Sequence, residues 1–405
     1  ATDLYKHTEN EVYYSMNSAE TFSITYPAIH PGAAHTDISV FSGDIDLHAL
    51  FLESESVRRI FVTDSTIAAL PSMAHFMQRW STARTFSNGF TAVHGKDALI
   101  VLGAGESYKT IENVLLIVRL AIDENMTRSA VFTAIGGGVI CDMTAFAASM
   151  FKRGARVEFV PTTLLAMVDA AVGGKSGCDF LNYKNMIGAF WPAQQLYYFP
   201  TFVQSLPNDQ FRSGLAEALK TAYLYSNDLL TVFKTQKADI LARTASVLQY
   251  IISTCAKAKA RVVEEDFTEQ NVRAYLNLGH TFAHALESAS GLGIVSHGDA
   301  VAWGMGRAAV MSHNLGLCSA AYMQEMLELL RDYEWEIGAI HTAMAAYTPE
   351  EASQLLLEAM KKDKKNTDDS VRCILQTAVA QTAIYKVAPK DILLVLNPAS
   401  ASKGA

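Results

Sequence analysis

Three histidines and a glutamate in the second half of the chain are of types that bind metal ions. His280 and His284 are four residues apart in NLGHTFAHALE, a segment of helical periodicity, so both project from one helix face. The pair lacks the intervening glutamate of H-E-x-x-H, and ordinary hydrogen-bonded histidines share its spacing. His297, at a predicted helix start, adds an imidazole, and Glu217 adds a carboxylate from another predicted helix. One carboxylate and two imidazoles leave an open position on zinc, as a catalytic site requires.

A run of three glycines, Gly136, Gly137 and Gly138, lies between a predicted strand and a predicted helix. Backbone N–H groups and the dipole at such a helix start can bind a pyrophosphate. Cys141 stands where a dinucleotide-binding turn usually has a third small residue, so a tight structural turn is the alternative interpretation. Three polar residues follow other predicted strands and would meet a nucleotide there, or else serve as helix caps and solvated charges. They are Asp64, Glu106 and Lys109.

A second glycine-bearing loop, VDAAVGGKSGCDF followed by YKNMIGAF, carries Lys175, Lys184 and Asn185. Paired glycines beside a lysine let backbone and ammonium approach an anion together. The loop is not a P-loop, because the first glycine of G-x-x-x-x-G-K-[ST] is absent, and a turn with a surface lysine is the alternative. Further cations in the second half of the chain include Lys220, Lys259, Arg273 and Lys364, although a charge run such as 361–365 is ordinarily a solvated face.

The elements that position these residues predict two domains. Up to residue 205, short apolar runs such as RRIFVTDST and DALIVLGAG alternate with helical patterns, which favours an α/β domain with a mostly parallel sheet. From about 208 to 362 the periodicity is helical over long stretches, and only SVRCILQTA, near the end, is strand-like. We therefore predict an α/β domain over 1–205 and a mainly α-helical domain over 206–405.

Composition excludes several classes of protein. The 405 residues carry a formal net charge of −8, so general attraction to nucleic acid or an anionic membrane is not expected. Five dispersed cysteines without a C-x-x-C pair indicate neither a disulfide framework nor a cysteine zinc site. Neither a secretory signal nor an apolar run long enough for a membrane span is present. We predict a cytoplasmic protein.

Taken together, these segments resemble the 3-dehydroquinate synthase family of sugar-phosphate cyclases. The resemblance covers about residues 58–380, with family-like spacing as well as residues. The motifs that carry it are, in order, GESYKT (105–110), GGGVICD (136–142), KRG (152–154), PTTLLAMVD (161–169), GGKSG (173–177), KNMIGAF (184–190), SLP (205–207), GLAEALK (214–220), KARVVEED (259–266), LNLGHTFAHALE (276–287), HGDAVAWGM (297–305) and DKK (363–365).

The resemblance implies a fold and a set of site residues. It implies a Rossmann-like NAD-binding domain, a helical domain holding one divalent metal, usually zinc with cobalt possible, and a homodimer. The metal ligands would be Glu217, His280 and His297. The NAD site would be lined by Asp64, Glu106, Lys109, Gly136, Gly137, Gly138, Asp142, Thr162, Thr163 and Lys184. The substrate would be surrounded by Asp169, Lys175, Asn185, Lys220, Lys259, Arg273, Asn277, His284 and Lys364, with Arg153 reaching the phosphate of the neighbouring subunit's site.

The activity implied is a step of the shikimate pathway of aromatic amino acid biosynthesis. The family converts 3-deoxy-D-arabino-heptulosonate 7-phosphate to 3-dehydroquinate and phosphate by transient oxidation with NAD, β-elimination, re-reduction and aldol closure. A substrate with a carboxylate and a phosphate suits a locally cation-rich site on an acidic protein. His284 would be a proton relay.

Several positions depart from the family and keep other activities open. The chain has Ala170 and Ala171 where the family usually has serines, Cys141 and Ala283 where it has glycine, and Asp299 where it has glutamate. The alternatives are a related cyclase of the amino-dehydroquinate, 2-deoxy-scyllo-inosose or valiolone type, a metal-dependent alcohol dehydrogenase, and a catalytically silent binding protein. Lys259, Arg273 and Asn277 favour a substrate that carries a carboxylate, because a substrate lacking that group would leave the cations unpaired.

Overall fold

The division of the chain into two units follows its internal contacts. The computed structural model describes residues 18–27, 35–52, 56–181, 183–291, 293–362 and 370–397. The first unit extends to Pro207 and also includes Ala242–Thr268, while the second consists of Asn208–Leu241 and the residues from Glu269 onward. The predicted boundary at 205 lies two residues before Pro207, where the chain first passes from one unit to the other. The prediction that 242–268 belongs to the second domain differs from the structure.

A nine-stranded sheet forms the centre of the first unit. From edge to edge its strands are β1 (Ser18–Thr25), β2 (His35–Phe41), β11 (Gln195–Tyr198), β8 (Arg156–Pro161), β7 (Val131–Gly136), β3 (Arg59–Asp64), β6 (Asp97–Leu102), β5 (Gly89–His94) and β4 (Ser81–Phe86). The six strands from β2 to β6 are parallel, and β1, β4 and β5 are antiparallel at the edges. The parallel strands confirm the predicted α/β class, and the buried runs of β3, β6 and β7 are the apolar segments seen in the sequence.

Helices and a hairpin complete the first unit. The helices are α1 (Leu47–Leu50), α2 (Ser65–Ala68), α3 (Ala74–Gln78), α4 (Ile111–Asp123), α5 (Gly138–Met150) and α9 (Ala245–Glu265). The segment after β8 forms one π-helical turn at Ala166–Ala170 and then a hairpin of β9 (Lys175–Phe180) and β10 (Tyr183–Phe190). A π-helical turn often marks a functional site, because it displaces one residue from regular helix geometry.

Helix α9 belongs to the first unit because its polar side chains bind there. Lys257 forms an ion pair with Glu20 on β1. Glu264 Oε1 accepts a hydrogen bond of 2.8 Å from the backbone N–H of Thr25. Lys259 Nζ donates to the backbone oxygen and to Oδ1 of Asp169, both at 2.6 Å. Periodicity in the sequence predicts this helix but carries no information about its partner.

The second unit is mainly helical, as predicted. Its helices are α6 (Asn208–Tyr225), α7 (Asn227–Thr235), α8 (Lys237–Leu241), α10 (His280–Ser290), α11 (His297–Asn314), α12 (Ala320–Asp332), α13 (Pro349–Lys361) and α14 (Pro389–Leu396). The predicted strand SVRCILQTA is β12 (Val371–Ala378), which pairs with an unpredicted strand, β13 (Gln381–Val387). Among the described residues, no helix has the length and apolarity needed to cross a bilayer.

Candidate functional site

Three helices of the second unit bring Glu217, His280 and His297 together. Glu217 lies on α6, His280 is the first residue of α10, and His297 is the first residue of α11. Oε1 of Glu217 is 3.5 Å from Nε2 of His280 and 3.3 Å from Nε2 of His297. One ligand atom from each residue lies within 4.8 Å of the others. The predicted metal ligands therefore form one cluster.

The start of α11 places His297 beside Glu217. Ser296 caps the helix by accepting a hydrogen bond of 3.1 Å from the backbone N–H of Asp299, which defines His297 as its first helical residue. Gly298 then packs directly on α6, and its N–H donates to Ser213 Oγ at 3.0 Å. A Cβ atom at position 298 would lie 2.2 Å from Cα of Ser213, so only glycine permits this approach.

Charged groups around the cluster keep the carboxylate ionised. Burial alone would raise the pKa of Glu217, but Lys220, which forms an ion pair with it, and the two histidines hold that pKa well below its usual value. Burial and Lys220 lower the pKa of His280. Burial also acts to lower the pKa of His297, but the hydrogen bonds that its ring donates to the carboxylates of Glu217 and Glu287 raise the pKa to about 10.

The outer nitrogens of both imidazoles are held by second groups. His297 Nδ1 is 3.5 Å from Oε2 of Glu287, and His280 Nδ1 is 3.2 Å from the backbone oxygen of Leu278. Such contacts orient metal-bound histidines and select the nitrogen that faces the ion. The sequence analysis missed Glu287, although it lies two helical turns beyond His280 and therefore on the same face of α10.

The donor set fits a tetrahedral zinc-type ion. Ligand atoms about 2.0–2.1 Å from zinc are separated by about 3.3–3.4 Å along the edges of a tetrahedron, close to the two distances from Glu217 Oε1. Within the described part of the chain, Oε2 of Glu217 is paired with Lys220, whereas the buried Oε1 has no hydrogen bond of normal geometry and faces the ring nitrogens of the two histidines. A cation bound between Oε1 and the two nitrogens would satisfy this buried oxygen, since buried polar atoms normally have a partner.

We predict that Gly298→Ala disrupts this cluster. The added Cβ must displace backbone of α6, which should cost about 1–3 kcal/mol of unfolding free energy and reduce the bound metal per chain. Thermal unfolding and elemental analysis measure the two effects. Gly306→Ala, in the same helix, is the matched control, because its Cβ would meet only the side-chain ends of Leu327 and Leu330 at 3.2 and 3.4 Å. Equal effects of the two substitutions would contradict the role given to Gly298.

The predicted nucleotide-binding turn begins α5. Gly137 is the N-cap, and no described side chain caps the helix, so its first N–H groups face outward as an anion site requires. A Cβ at Gly137 would be 3.0 Å from Cγ2 of Thr163. The hydroxyl of Thr162 is buried and has no hydrogen-bond partner among the described residues. The uncapped N–H groups of α5 and the hydroxyl of Thr162, which lacks a partner among the described residues, could both donate hydrogen bonds to a dinucleotide pyrophosphate.

Asp64 and Glu106, both predicted for the NAD site, lie in different surroundings. Asp64 ends β3 and caps α2, because its Oδ1 accepts hydrogen bonds from the N–H groups of Thr66 and Ile67, both at 2.9 Å. The alternative considered for this residue, a helix cap, is therefore present, and burial raises its pKa. Glu106 is exposed at the start of the turn after β6.

Lys109 is the buried centre of a polar network. Its Nζ is 2.7 Å from Oδ2 of Asp142 and donates to Oδ1 of Asn185 at 2.5 Å. Burial on its own would lower the pKa of Lys109, but Asp142 and Glu106 raise it above its ordinary value. Burial raises the pKa of Asp142, while the ammonium acts in the opposite direction. The network joins two predicted NAD-site residues to Asn185, a predicted substrate residue.

The other predicted substrate residues of the first unit lie on different elements. Asp169 lies in the π-helical turn, where it accepts from Lys259, and Lys175 is exposed at the start of β9. Lys184, which was predicted for the NAD site, is exposed on β10. Arg153 is exposed and has no partner within the described ranges.

In the second unit, the predicted substrate residues surround the metal cluster only in part. His284 is exposed, and its ring lies 5.3 Å from that of His280 and 6.4 Å from that of His297. Arg273 is buried, and the amide of Asn277 donates to Glu269 at 2.9 Å. Lys364 lies outside the described residues.

Family models match two consecutive stretches of the chain. The model for the N-terminal part of 3-dehydroquinate synthase matches 99–213, and that for its C-terminal part matches 214–366. The chain is 39% identical over 303 residues to 3-dehydroquinate synthase of Microcystis aeruginosa, covering 74% of this chain and 80% of the relative. Identity to the enzyme of Shewanella pealeana is 34% over 345 residues, covering 85% and 90%.

Two solved structures of synthases share the fold. A 2-deoxy-scyllo-inosose synthase complexed with carbaglucose-6-phosphate, NAD+ and Co2+ is 22% identical, with a TM-score of 0.74 and coverage of 94% of this chain and 99% of that one. The 2-epi-5-epi-valiolone synthase of Streptomyces hygroscopicus, with NAD+ and Zn2+ bound, is 24% identical, with a TM-score of 0.76 and coverage of 93% and 99%. At these identities the likeness shows the fold.

Proposed function

This chain belongs to the 3-dehydroquinate synthase family, and we propose that it converts 3-deoxy-D-arabino-heptulosonate 7-phosphate to 3-dehydroquinate and phosphate. It is an enzyme that depends on NAD and on a divalent metal. The observation that carries this proposal is the buried cluster of Glu217, His280 and His297, whose spacing suits an ion with an open position for substrate. We propose these three residues as the metal ligands.

We assign the two anionic groups of the substrate to cations of the chain. Lys175 and Lys259 in the first unit and Lys220 and Arg273 in the second are proposed to bind its carboxylate and phosphate. Charge-assisted hydrogen bonds to carboxylate and phosphate are stronger than neutral ones, so these cations suit an anionic substrate even though the net charge of the chain is −8. A substrate without a carboxylate would leave part of this set without an anionic partner.

The chain's own side chains bind and orient the dinucleotide and the substrate, and they carry protons. When bound, NAD accepts and returns a hydride, and the divalent metal stabilises negative charge on a substrate oxygen. We propose that the turn at Gly137, with Thr162 and the Lys109 network, orients the dinucleotide. Lys259 holds the Asp169 carboxylate in place through its bonds to Oδ1 and to the backbone oxygen. His284, exposed beside the cluster, is proposed to carry a proton on a ring nitrogen.

The remaining assignments rest on the family resemblance alone. Arg153 is proposed to bind the phosphate in the neighbouring subunit of a homodimer, and its side chain, exposed and without a partner among the residues that the structure describes, is compatible with that role. Lys364 is proposed to bind substrate, although it lies outside the described residues. The homodimer and the cytoplasmic location stay predictions.

Phosphate release from the heptulosonate phosphate tests the function. We expect release that stops with a metal chelator, resumes with added Zn2+ or Co2+, and gives no net NADH, because the hydride returns within each turnover. Net NADH from a simple alcohol would instead indicate an alcohol dehydrogenase. Release from sugar phosphates without a carboxylate, at a rate equal to that from the heptulosonate phosphate, would indicate one of the other cyclases.

A further inference from the structure

The turn that presents Arg153 has an unusual backbone. Lys152, Arg153 and Gly154 follow α5, and all three have positive φ, of 47°, 63° and 122°. Non-glycine residues rarely adopt such angles, so contacts from elsewhere must hold the turn in place. On one side, Lys152 Nζ donates to the backbone oxygen of Met126 at 2.7 Å, and Arg128 donates to that of Gly154 at 3.1 Å.

Trp191 holds the other side of this turn. Its indole Nε1 donates to the backbone oxygen of Ala155 at 2.9 Å. Its ring lies against Gly154 so closely that a Cβ there would be 2.5 Å from Cη2 of the indole. The half-buried ring of Trp191 therefore occupies the space that any side chain at position 154 would need.

The backbone of Trp191 binds the loop that carries Lys175. Its N–H donates to the oxygen of Gly174 at 2.6 Å. Gly174 has φ of 70°, and a Cβ there would be 3.0 Å from the nitrogen of Pro192, the next residue. The residue before Trp191, Phe190, is paired with Lys175 in the hairpin of β9 and β10. One tryptophan thus contacts the turn of Arg153 through its side chain and the loop of Lys175 through its backbone.

We propose that Trp191 is a positioning residue that sets the placement of Arg153 and Lys175 for phosphate binding. The inference rests on the proposed function and assigns the substrate phosphate to both cations, Lys175 in its own site and Arg153 in its neighbour's. Long cationic side chains bind an anion tightly only when their backbones are already in place, because ordering at the moment of binding costs free energy. Trp191 supplies that order without touching substrate itself.

The test separates substrate affinity from turnover. Trp191→Ala should raise KM for the sugar phosphate and Ki for inorganic phosphate about tenfold, with kcat changed less than about threefold and NAD+ affinity unchanged. Trp191→Phe keeps an aromatic ring but loses the bond to Ala155 and part of the contact that the far edge of the indole makes with Gly154, so it should shift the same two constants less than Trp191→Ala does. Trp80→Phe is the matched control, because the indole nitrogen of Trp80 has no partner among the described residues.

Two outcomes would overturn the inference. In folded Trp191→Ala protein, unchanged KM and Ki would show that the two cations do not depend on the indole. A loss of NAD+ affinity equal to the loss of phosphate affinity would show general loosening instead. If the alanine variant does not fold, Trp191→Phe is measured instead, and a smaller shift of KM and Ki is expected.

If the unmodified enzyme releases no phosphate from the sugar phosphate, the proposed function fails, whereas calorimetry with inorganic phosphate still measures the effect of Trp191.

Discussion

His280→Ala should remove the metal from the protein and reduce phosphate release by about three orders of magnitude or more. The substitution leaves Glu217 and His297 as two ligands where a stable site needs three, and it removes the charge stabilisation that the ion gives to a substrate oxygen. The fold should persist, because His280 is the first residue of α10 and its removal leaves Glu217 paired with Lys220. Elemental analysis and a phosphate-release assay measure both effects.

Two further variants are compared with His280→Ala, one with an intermediate effect on metal affinity and one without an effect. Glu287→Gln keeps the ligands but weakens the group that orients His297, so metal affinity should fall by about 10–100-fold. His313→Asn is the control, since the hydrogen bond that the ring of His313 makes within the described ranges is to the backbone oxygen of Cys318, at 3.3 Å, near the end of α11. If His280→Ala retained bound metal and full phosphate release, the assignment of the metal site would be wrong.

Lys109→Met should weaken NAD+ binding and also destabilise the first unit. The substitution leaves the Asp142 carboxylate, whose side chain is 19% exposed, without its counter-ion. Breaking a buried ion pair in this way costs about 3–5 kcal/mol, because one charge stays buried alone. Urea unfolding measures the stability and titration calorimetry measures the affinity for NAD+.

The double variant Lys109→Met/Asp142→Leu distinguishes the two effects. Replacing both charges with apolar side chains should recover most of the stability, since no buried charge remains unpaired, while NAD+ binding stays weak. Arg119→Met breaks an exposed ion pair with Asp123 and should change stability by less than about 1 kcal/mol. A Lys109→Met protein as stable as the control, with normal NAD+ affinity, would refute the network's role.

Sequence periodicity predicted the centre of the sheet but not its edges. Strands buried on both faces, such as β3 and β7, appear as continuous apolar runs. The edge strand β4, STARTF, is polar and exposed over most of its length, so its sequence resembles a loop. The hairpin partner β13 was missed for a similar reason, because most of its residues are only half-buried.

At the site, the residue types were predictable but most of their supporting contacts were not. Glu217, His280 and His297 could be named from their chemistry and the family motifs, and the structure brings them together. Glu287 could have been found from its spacing on α10. The contacts of Trp191 had no signal in the sequence, because they depend on tertiary packing against a turn 37 residues earlier.

The three passages of the chain between the units affect how the protein can be synthesised and dissected. When the ribosome has released the first 207 residues, Glu20 and Asp169 still lack Lys257 and Lys259, which are translated only after the segment 208–241 of the other unit. The sheet-containing unit is therefore completed late in translation, after about residue 268 has emerged. A truncation at 207 removes helix α9, which packs in the first unit. A fragment that contains the whole first unit must therefore join 242–268 to residue 207 through a linker.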